Sequence, residues 1–197
     1  MSEQEPHELV LVRHGETEWT LSGRHTGRTD IPLTAHGREQ ARRIGAALRD
    51  RRFALVLSSP LSRALETCRM AGVGASVEVT DDLLEWDYGE YEGVRTVDIR
   101  TTRPRWSLWT DGVPGGETAA AVAERVDRIL DWARGAGGSV ALFAHGHVLR
   151  VLTARWLALP PEDGRLFAMD PAAVSVLGYE REAPVIRHWN IGAPPVL

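Results

Sequence analysis

Short hydrophobic runs alternate with amphipathic stretches along the chain. Apolar, partly β-branched runs predict buried strands at positions 9–12, 53–57, 77–79, 139–143, 174–179 and 185–189. Apolar residues recur with helical spacing at positions 34–48, 61–68, 122–133 and 147–159. Strands that alternate with helices pair in parallel, so this order predicts an α/β fold: a three-layer sandwich with a mostly parallel central sheet and helices on both faces.

The middle of the chain, about residues 81–116, lacks a regular hydrophobic period. It is rich in tryptophan, glycine, proline and charged residues, which predicts a partly helical flap inserted after the third strand. No repeat, linker or low-complexity tract divides the sequence, so residues 1–197 are expected to form a single domain.

Composition and charge exclude several classes of protein. The only cysteine, Cys68, excludes an internal disulfide framework and a multi-thiolate metal site. The net charge of −4 gives no general affinity for nucleic acid or an anionic membrane. The acidic start and the short first apolar run predict neither a signal peptide nor a membrane span, so a cytoplasmic protein is expected. All 23 basic residues are arginine, which excludes chemistry based on lysine.

Candidate chemistry lies where three predicted strands end. The first strand runs into Arg13 and His14, the fourth runs into His145 and Gly146, and a helix carrying Arg63 follows the second. Ligands of such sheets bind beyond the carboxyl ends of the strands, so these side chains are expected to converge. Clustered cations repel one another unless an anion neutralises them, and arginine matches phosphate oxygens well. The pattern therefore predicts a phosphate pocket.

Four motifs in this order resemble those of the histidine phosphatase superfamily, which includes the phosphoglycerate mutases: LVRHGETEW, SSPLSRALET, LLEWDYGEYEG and FAHGH. The resemblance spans essentially the whole chain and implies a phosphoglycerate mutase-like fold. The glutamate motif, the flap sequence WSLWTDGVPGGET and the HTGRTDIPLT loop are most similar to one branch of the family, which holds a fungal sedoheptulose bisphosphatase and actinobacterial acid phosphatases.

The resemblance also implies a role for each matching residue. His14 takes the position of the nucleophile that becomes phosphohistidine, and Glu85 that of the proton donor. Arg13, Arg63 and His145 take the positions that hold the transferring phosphoryl group. The positions at which relatives contact the substrate correspond to Thr17, Thr20, Thr26, Gly27, Tyr88 and Gly146. Thr20 departs from the mutases, which usually have asparagine there.

The implied activity is that of a phosphomonoesterase of the acid phosphatase or sugar phosphatase type. Its partner is a small phosphorylated metabolite, and no cofactor, metal, nucleic acid or membrane is expected. A 2,3-bisphosphoglycerate-dependent phosphoglycerate mutase is the alternative, disfavoured because lysine is absent and the glutamate motif reads EWDYGEYEG instead of ERxYGxLxG. A non-catalytic phosphate-binding module is an alternative of another class, disfavoured by the intact motif residues. The substrate and the oligomeric state stay open.

Other histidines have simpler interpretations. A metal site formed by His14, His145 and His147 is disfavoured because no carboxylate directly follows these strands. His147 is expected to be a helix-start or packing residue, and His25 and His36 are expected at a surface loop and a helix start.

Two features of the flap and the preceding loop stay open. Four arginines form the basis of a hypothetical second anion site, which a bisphosphate would need: Arg24, Arg28, Arg103 and Arg105. Trp106 and Trp109 either pack the flap or form a wall for the leaving group of the substrate.

Overall fold

Six strands form one sheet in the computed structural model, which describes residues 8–192; the acidic residues 1–7 lie outside the described part. The strands are β1 (Leu9–Arg13), β2 (Leu55–Ser58), β3 (Glu78–Val79), β4 (Val140–Ala144), β5 (Val174–Glu180) and β6 (Ala183–Ile191). Their order across the sheet is β3-β2-β4-β1-β5-β6. The first four in this order pair in parallel, and β5 and β6 add an antiparallel edge. The predicted mostly parallel sheet is confirmed.

Helices cover both faces of the sheet. Within residues 8–192 they are α1 (Glu18–Ser22), α2 (Ala35–Leu48), α3 (Ser62–Met70), α4 (Thr96–Thr102), α5 (Leu108–Asp111), α6 (Ala119–Gly135) and α7 (Gly146–Trp156). Short 3₁₀ turns lie at Gly74–Ser76, Asp81–Leu83, Gly89–Tyr91 and Pro161–Leu166. No helix of the described residues is long and apolar enough to cross a membrane.

The two faces of β1 explain why its apolar run is continuous. Side chains alternate along a strand, so Leu11 packs in one hydrophobic cluster with α6 and α7. Val12 packs on the opposite face, in a second cluster with α2 and with Cys68 of α3. A strand buried on both faces needs hydrophobic residues at every position. The three-layer sandwich predicted from the sequence is confirmed.

The flap between β3 and α6 contains α4, α5 and two of the 3₁₀ turns. Trp106 is buried, and its indole N–H donates to the carbonyl of Gly112 at 2.9 Å. The ring of Trp109 packs edge-on against Trp86, with centroids 5.7 Å apart. Both flap tryptophans therefore pack the flap against the core.

Two strand-to-helix connections carry the predicted chemistry to one edge of the sheet. β1 and β4 are adjacent and in register, with Arg13 opposite Ala144. His14 follows β1 and His145 follows β4, and the backbone N–H of His14 donates to the carbonyl of Ala144 at 3.0 Å. Helix α7 begins at Gly146, so its N-terminus lies at this edge.

Candidate active site

A cavity of about 190 Å³ lies at the carboxyl ends of β1 and β4. Among the predicted site residues, those that line it are Arg13, His14, Thr20, Thr26, Glu85, Tyr88 and Gly146. The other predicted residues, Thr17, Gly27, Arg63 and His145, are buried next to it and are not part of the lining. The predicted site residues thus fall into two groups, one that lines the cavity and one that is buried behind the lining.

His14 is buried and is oriented by its own backbone neighbour. Its Nδ1 atom lies 2.7 Å from the carbonyl oxygen of Gly15. A carbonyl can only accept, so Nδ1 carries the proton of the neutral ring and Nε2 keeps a lone pair. Burial, reinforced by the guanidinium groups of Arg63 and Arg13, holds the pKa of His14 well below its ordinary value. The imidazole is therefore neutral at neutral pH, as a nucleophile must be.

Arg63 is fully buried on α3 and its guanidinium is surrounded by acceptors. It donates to the carbonyls of Thr29 at 2.9 Å, Thr26 at 3.1 Å and Gly27 at 2.9 Å. Its Nε donates to Nδ1 of His145 at 3.1 Å. These bonds fix the loop that follows α1 against the sheet, and they add a fixed positive charge behind the cavity.

His145 is the second buried imidazole of the site. Because its Nδ1 accepts from Arg63, its proton lies on Nε2, which donates to Oγ of Ser59 at 2.8 Å. Its ring lies 5.2 Å from that of His14, centroid to centroid. Burial, with a smaller contribution from the Arg63 charge, lowers the pKa of His145 well below its ordinary value. His145 is thus a neutral ring packed directly beside His14.

Arg13 is one of the arginines that line the cavity. One of its terminal nitrogens donates to the carbonyl of Met169. Its Nε is buried and has no hydrogen-bond partner among the described residues. The guanidinium also lies close to Gly146, where a Cβ atom would come within 3.2 Å of Cζ. A buried N–H group without an acceptor is costly, so this donor fits an oxygen atom of an anionic ligand.

Glu85 is held by three backbone N–H groups. Its Oε1 accepts from Trp86 and Val148, and its Oε2 accepts from His147, each at 2.9 Å. His147 and Val148 belong to the first turn of α7, where backbone N–H groups have no partner within the helix. Each carboxyl oxygen has more than one lone pair, so an acid–base role remains open to the group.

The family profile of the histidine phosphatase superfamily (branch 1) matches residues 9–192. The chain belongs to this family. The matched region covers all four motifs that carry the resemblance in the sequence, so the predicted family membership is confirmed.

Relatives of this histidine phosphatase have several activities in their names. An acid phosphatase of Mycobacterium tuberculosis is 42% identical, over 88% of this chain and 87% of that protein. A sedoheptulose 1,7-bisphosphatase of Saccharomyces cerevisiae is 35% identical, over 76% of this chain and 67% of that protein. A 2,3-bisphosphoglycerate-dependent phosphoglycerate mutase of Gloeobacter violaceus is 35% identical, over 78% and 77% of the two chains. The solved structure of an open reading frame product of M. tuberculosis matches with a TM-score of 0.91 and 38% identity, over 95% of this chain and 99% of that one.

Thr17 and Gly27, two predicted substrate contacts of this histidine phosphatase, do not line the cavity and form hydrogen bonds within the protein. Thr17 is buried and caps α1, where its side chain and that of Thr20 form a reciprocal capping box. Gly27 donates its N–H to the carboxylate of Glu92, and its carbonyl accepts from Arg63. Their predicted contact with a substrate stays a prediction, and their observed contacts support the loop.

His25 and His147 both line the cavity. The sequence predicts His25 at a surface loop and His147 as a helix-start or packing residue, and His147 does lie in the first turn of α7. Both line the wall beside Tyr88, whose hydroxyl lies 2.6 Å from Nδ1 of His147. The ring of His25 lies 4.7 Å from that of Tyr88. No three or more histidine, cysteine, aspartate or glutamate side chains in the described part of the chain are arranged to hold a metal ion. The metal alternative on His14, His145 and His147 thus finds no support.

Of the four arginines of the hypothetical second anion site, one lines the cavity and three do not. Arg24 lines the cavity. Arg28 faces the carboxylates of Asp87 and Glu117, Arg103 contacts Tyr91 and Asp111, and Arg105 is exposed away from the cavity lining.

Arg150 is a cavity arginine that the motifs did not single out. It stacks on the ring of Trp109 at 4.7 Å and donates to the carbonyl of Gly164 at 3.0 Å. Its spacing provides a signal, because Arg150 stands four residues after Gly146 and hence on the same face of α7.

Acidification is expected to destabilise this histidine phosphatase through its buried histidines. Burial lowers the pKa of His25 from 6.5 to about 4. Between these values the unfolded chain binds a proton that the folded protein does not, so stability falls as the pH drops through this window. The loss from one histidine is at most about 1.4 kcal/mol per pH unit.

Thermal unfolding at a series of pH values between about 7 and 4 measures this effect. We expect His25→Gln to give a shallower decline in stability than the parent. His36→Gln is the matched control, because His36 is exposed. Equal slopes for His25→Gln and the parent would show that His25 does not contribute.

Proposed function

We propose that the protein is a phosphomonoesterase that works through a phosphohistidine at His14, with Glu85 as the proton donor. The observation that carries the proposal is the orientation of His14: its protonated Nδ1 is tied to a carbonyl, which leaves the Nε2 lone pair for attack. Arg13 and Glu85 line the same cavity as this ring. A nucleophile, a cation and a carboxyl group are the parts that phosphoryl transfer from an ester requires.

The first step transfers the phosphoryl group to the protein. The phosphate monoester binds with an oxygen on the unpartnered Nε–H of Arg13. Nε2 of His14 attacks phosphorus, and the bond between phosphorus and the leaving oxygen breaks. Protonated Glu85 gives its proton to that oxygen, which departs as an alcohol. Charge on the equatorial oxygens is stabilised by Arg13 and by the field of buried Arg63.

The second step returns the protein to its starting state. Glu85, now a carboxylate, takes a proton from a water molecule as that water attacks phosphorus. The bond between Nε2 and phosphorus breaks, inorganic phosphate leaves, and His14 recovers its neutral ring. One carboxyl group thus serves as acid and then as base, which is typically worth about 10² to 10⁴ in rate.

The relatives support a small phosphorylated metabolite as the substrate. One is named for sedoheptulose 1,7-bisphosphate and another for glucosyl-3-phosphoglycerate, so sugar phosphates are the class to test first. We propose that a sugar phosphate or a similar monoester binds with its leaving group beside His25 and Tyr88, which line the same cavity as Arg13.

Arg24 is expected to distinguish bisphosphates from monophosphates. Arg24 lines the cavity, so its guanidinium would contact a second phosphate of a bound ester. We expect Arg24→Gln to raise KM for a sugar bisphosphate about tenfold, the loss of one charged hydrogen bond, and to leave KM for the monophosphate unchanged. Arg105→Gln is the control on an exposed arginine. Equal changes for both esters would remove Arg24 from substrate recognition.

A panel of phosphate esters tests the proposed function. Hydrolysis of p-nitrophenyl phosphate and sugar phosphates, undiminished by EDTA, is expected between about pH 4 and pH 8. Conversion between phosphoglycerates that depends on 2,3-bisphosphoglycerate would favour the mutase. Phosphate binding without turnover of any ester would favour the non-catalytic module.

A further inference from the structure

Glu85 lies on a stretch of irregular backbone. The residues around it connect the 3₁₀ turns Asp81–Leu83 and Gly89–Tyr91, outside any helix or strand. Proton transfer requires the donor within about 2.6–3.2 Å of the leaving oxygen, so this segment must be held at a defined place. The α7 N-terminus holds the carboxyl group, and a different set of contacts holds the backbone behind it.

Arg125 of α6 supplies the first of these contacts. Its side chain is only 7% exposed. One terminal nitrogen donates to the carbonyls of Asp82 at 2.9 Å and Leu84 at 2.6 Å, just ahead of Glu85 in the chain. The rest of the guanidinium forms a two-pronged pair with the carboxylate of Glu117, at 2.9 and 3.1 Å. A rigid helix is thereby bonded to the segment directly before Glu85.

Glu117 supplies the contacts on the other side of Glu85. Its carboxylate accepts the backbone N–H of Asp87 at 2.8 Å, and its backbone N–H donates to the carbonyl of Asp87 at 3.0 Å. Its carbonyl accepts the indole N–H of Trp86 at 2.9 Å. Together, Arg125 and Glu117 bond to Asp82, Leu84, Trp86 and Asp87, which flank Glu85 on both sides.

We propose that Arg125 and Glu117 are positioning residues, which set the carboxyl group of Glu85 at proton-transfer distance from the leaving oxygen. The proposal rests on the proposed function, because it assigns Glu85 the role of proton donor. Neither residue lines the cavity, so they act only through the backbone around Glu85. A displacement of about 1 Å in a reacting group can cost a factor of about 10² in rate.

The dependence of rate on the leaving group distinguishes this role from general structural support. An alkyl phosphate releases a strongly basic alkoxide and needs the proton from Glu85. The p-nitrophenolate ion is a weak base and leaves without that proton. A displaced Glu85 therefore lowers kcat/KM, which reports the steps up to release of the leaving group, selectively for the alkyl ester. A loosened fold lowers kcat/KM for both esters alike.

The experiment measures kcat/KM for an alkyl phosphate and for p-nitrophenyl phosphate in Arg125→Gln and Glu117→Gln, at a temperature where circular dichroism shows each variant folded. This ratio excludes the later hydrolysis of phosphohistidine, which is common to both esters. We expect kcat/KM to fall about 10²-fold for the alkyl ester and less than about tenfold for the nitrophenyl ester. Arg128→Gln is the matched control: Arg128 lies on the same helix and donates to the carboxylate of Asp82 and to the carbonyl of Glu124. This variant should leave both values of kcat/KM unchanged. If Arg125→Gln does not fold, the result for Glu117→Gln alone tests the positioning role.

Adding Glu85→Gln separates failure of this proposal from failure of the proposed function. Glu85→Gln alone should show the same selective loss, and Arg125→Gln should add little to it, because both changes remove one proton transfer. Equal losses of kcat/KM for the two esters in both positioning variants, or no loss, would overturn the positioning role while Glu85→Gln keeps its selectivity. No selectivity in Glu85→Gln itself would overturn Glu85 as the donor and the positioning role with it.

Discussion

His14→Ala is expected to abolish turnover of every phosphate ester that the parent protein hydrolyses. In the proposed mechanism the ring supplies the nucleophilic Nε2, which keeps a lone pair because Nδ1 carries the proton and faces the carbonyl of Gly15. Removing the nucleophile of a covalent mechanism costs on the order of 10⁵ to 10⁶ in kcat. The measurement is steady-state hydrolysis of p-nitrophenyl phosphate, together with mass spectrometry of protein quenched during turnover.

The quenched parent protein should carry an acid-labile phosphoryl group on His14, and the alanine variant should carry none. His36→Ala is the control, since His36 is exposed at the start of α2. Hydrolysis by His14→Ala at the rate of the parent would refute the covalent mechanism.

Arg63→Lys is expected to lower both activity and stability, although it conserves the charge. A single ammonium group cannot reach three backbone carbonyls and Nδ1 of His145 at once, as the planar guanidinium does. Buried acceptors left without donors cost about 1–3 kcal/mol each, so we expect a loss of about 3–5 kcal/mol in the free energy of unfolding. By analogy with other arginines that stabilise phosphoryl transfer, kcat/KM should fall about 10³-fold.

Chemical denaturation and kinetics on the same preparation test this expectation. Arg38→Lys is the matched control, because Arg38 forms a half-exposed ion pair with Glu66, where the geometry of the cation matters little. Unchanged stability and activity in Arg63→Lys would mean that the loop carbonyls do not depend on the guanidinium.

The centre of the sheet was predictable because its inner strands β1, β2 and β4 are buried on both faces. The continuous apolar runs of β1 and β4 leave no polar position for solvent, and helical stripes separate them, so parallel pairing followed. The alternation did not predict that β5 would pair antiparallel beside β1, because the order of strands across a sheet depends on contacts distant in sequence.

The motif residues predicted that Arg13, His14 and Glu85 lie together, and they do line one cavity. Other parts of the site could not be predicted from local sequence pattern. The sequence predicts His25 at a surface loop. The structure packs its ring against Tyr88 and against Trp106 of the flap, which are distant in sequence, so the local pattern does not show this burial. Arg125 is separated by 41 positions from Leu84, whose carbonyl it binds, and on its helix it resembles any other arginine. Such contacts exist only after the chain has folded.

The junction of β4 with α7 has a consequence for how specificity can change. His145 lies between β4 and α7, and the backbone N–H groups of the first turn of α7 donate to the carboxyl group of Glu85. The groups proposed for bond breaking are thus anchored to the central scaffold, whereas α4 and α5 belong to the flap inserted between β3 and α6. Trp106 and Trp109 of this flap pack against the cavity residues His25, His147 and Arg150. Grafting the 96–111 region from a relative should therefore alter which esters are accepted while preserving the pH profile of hydrolysis.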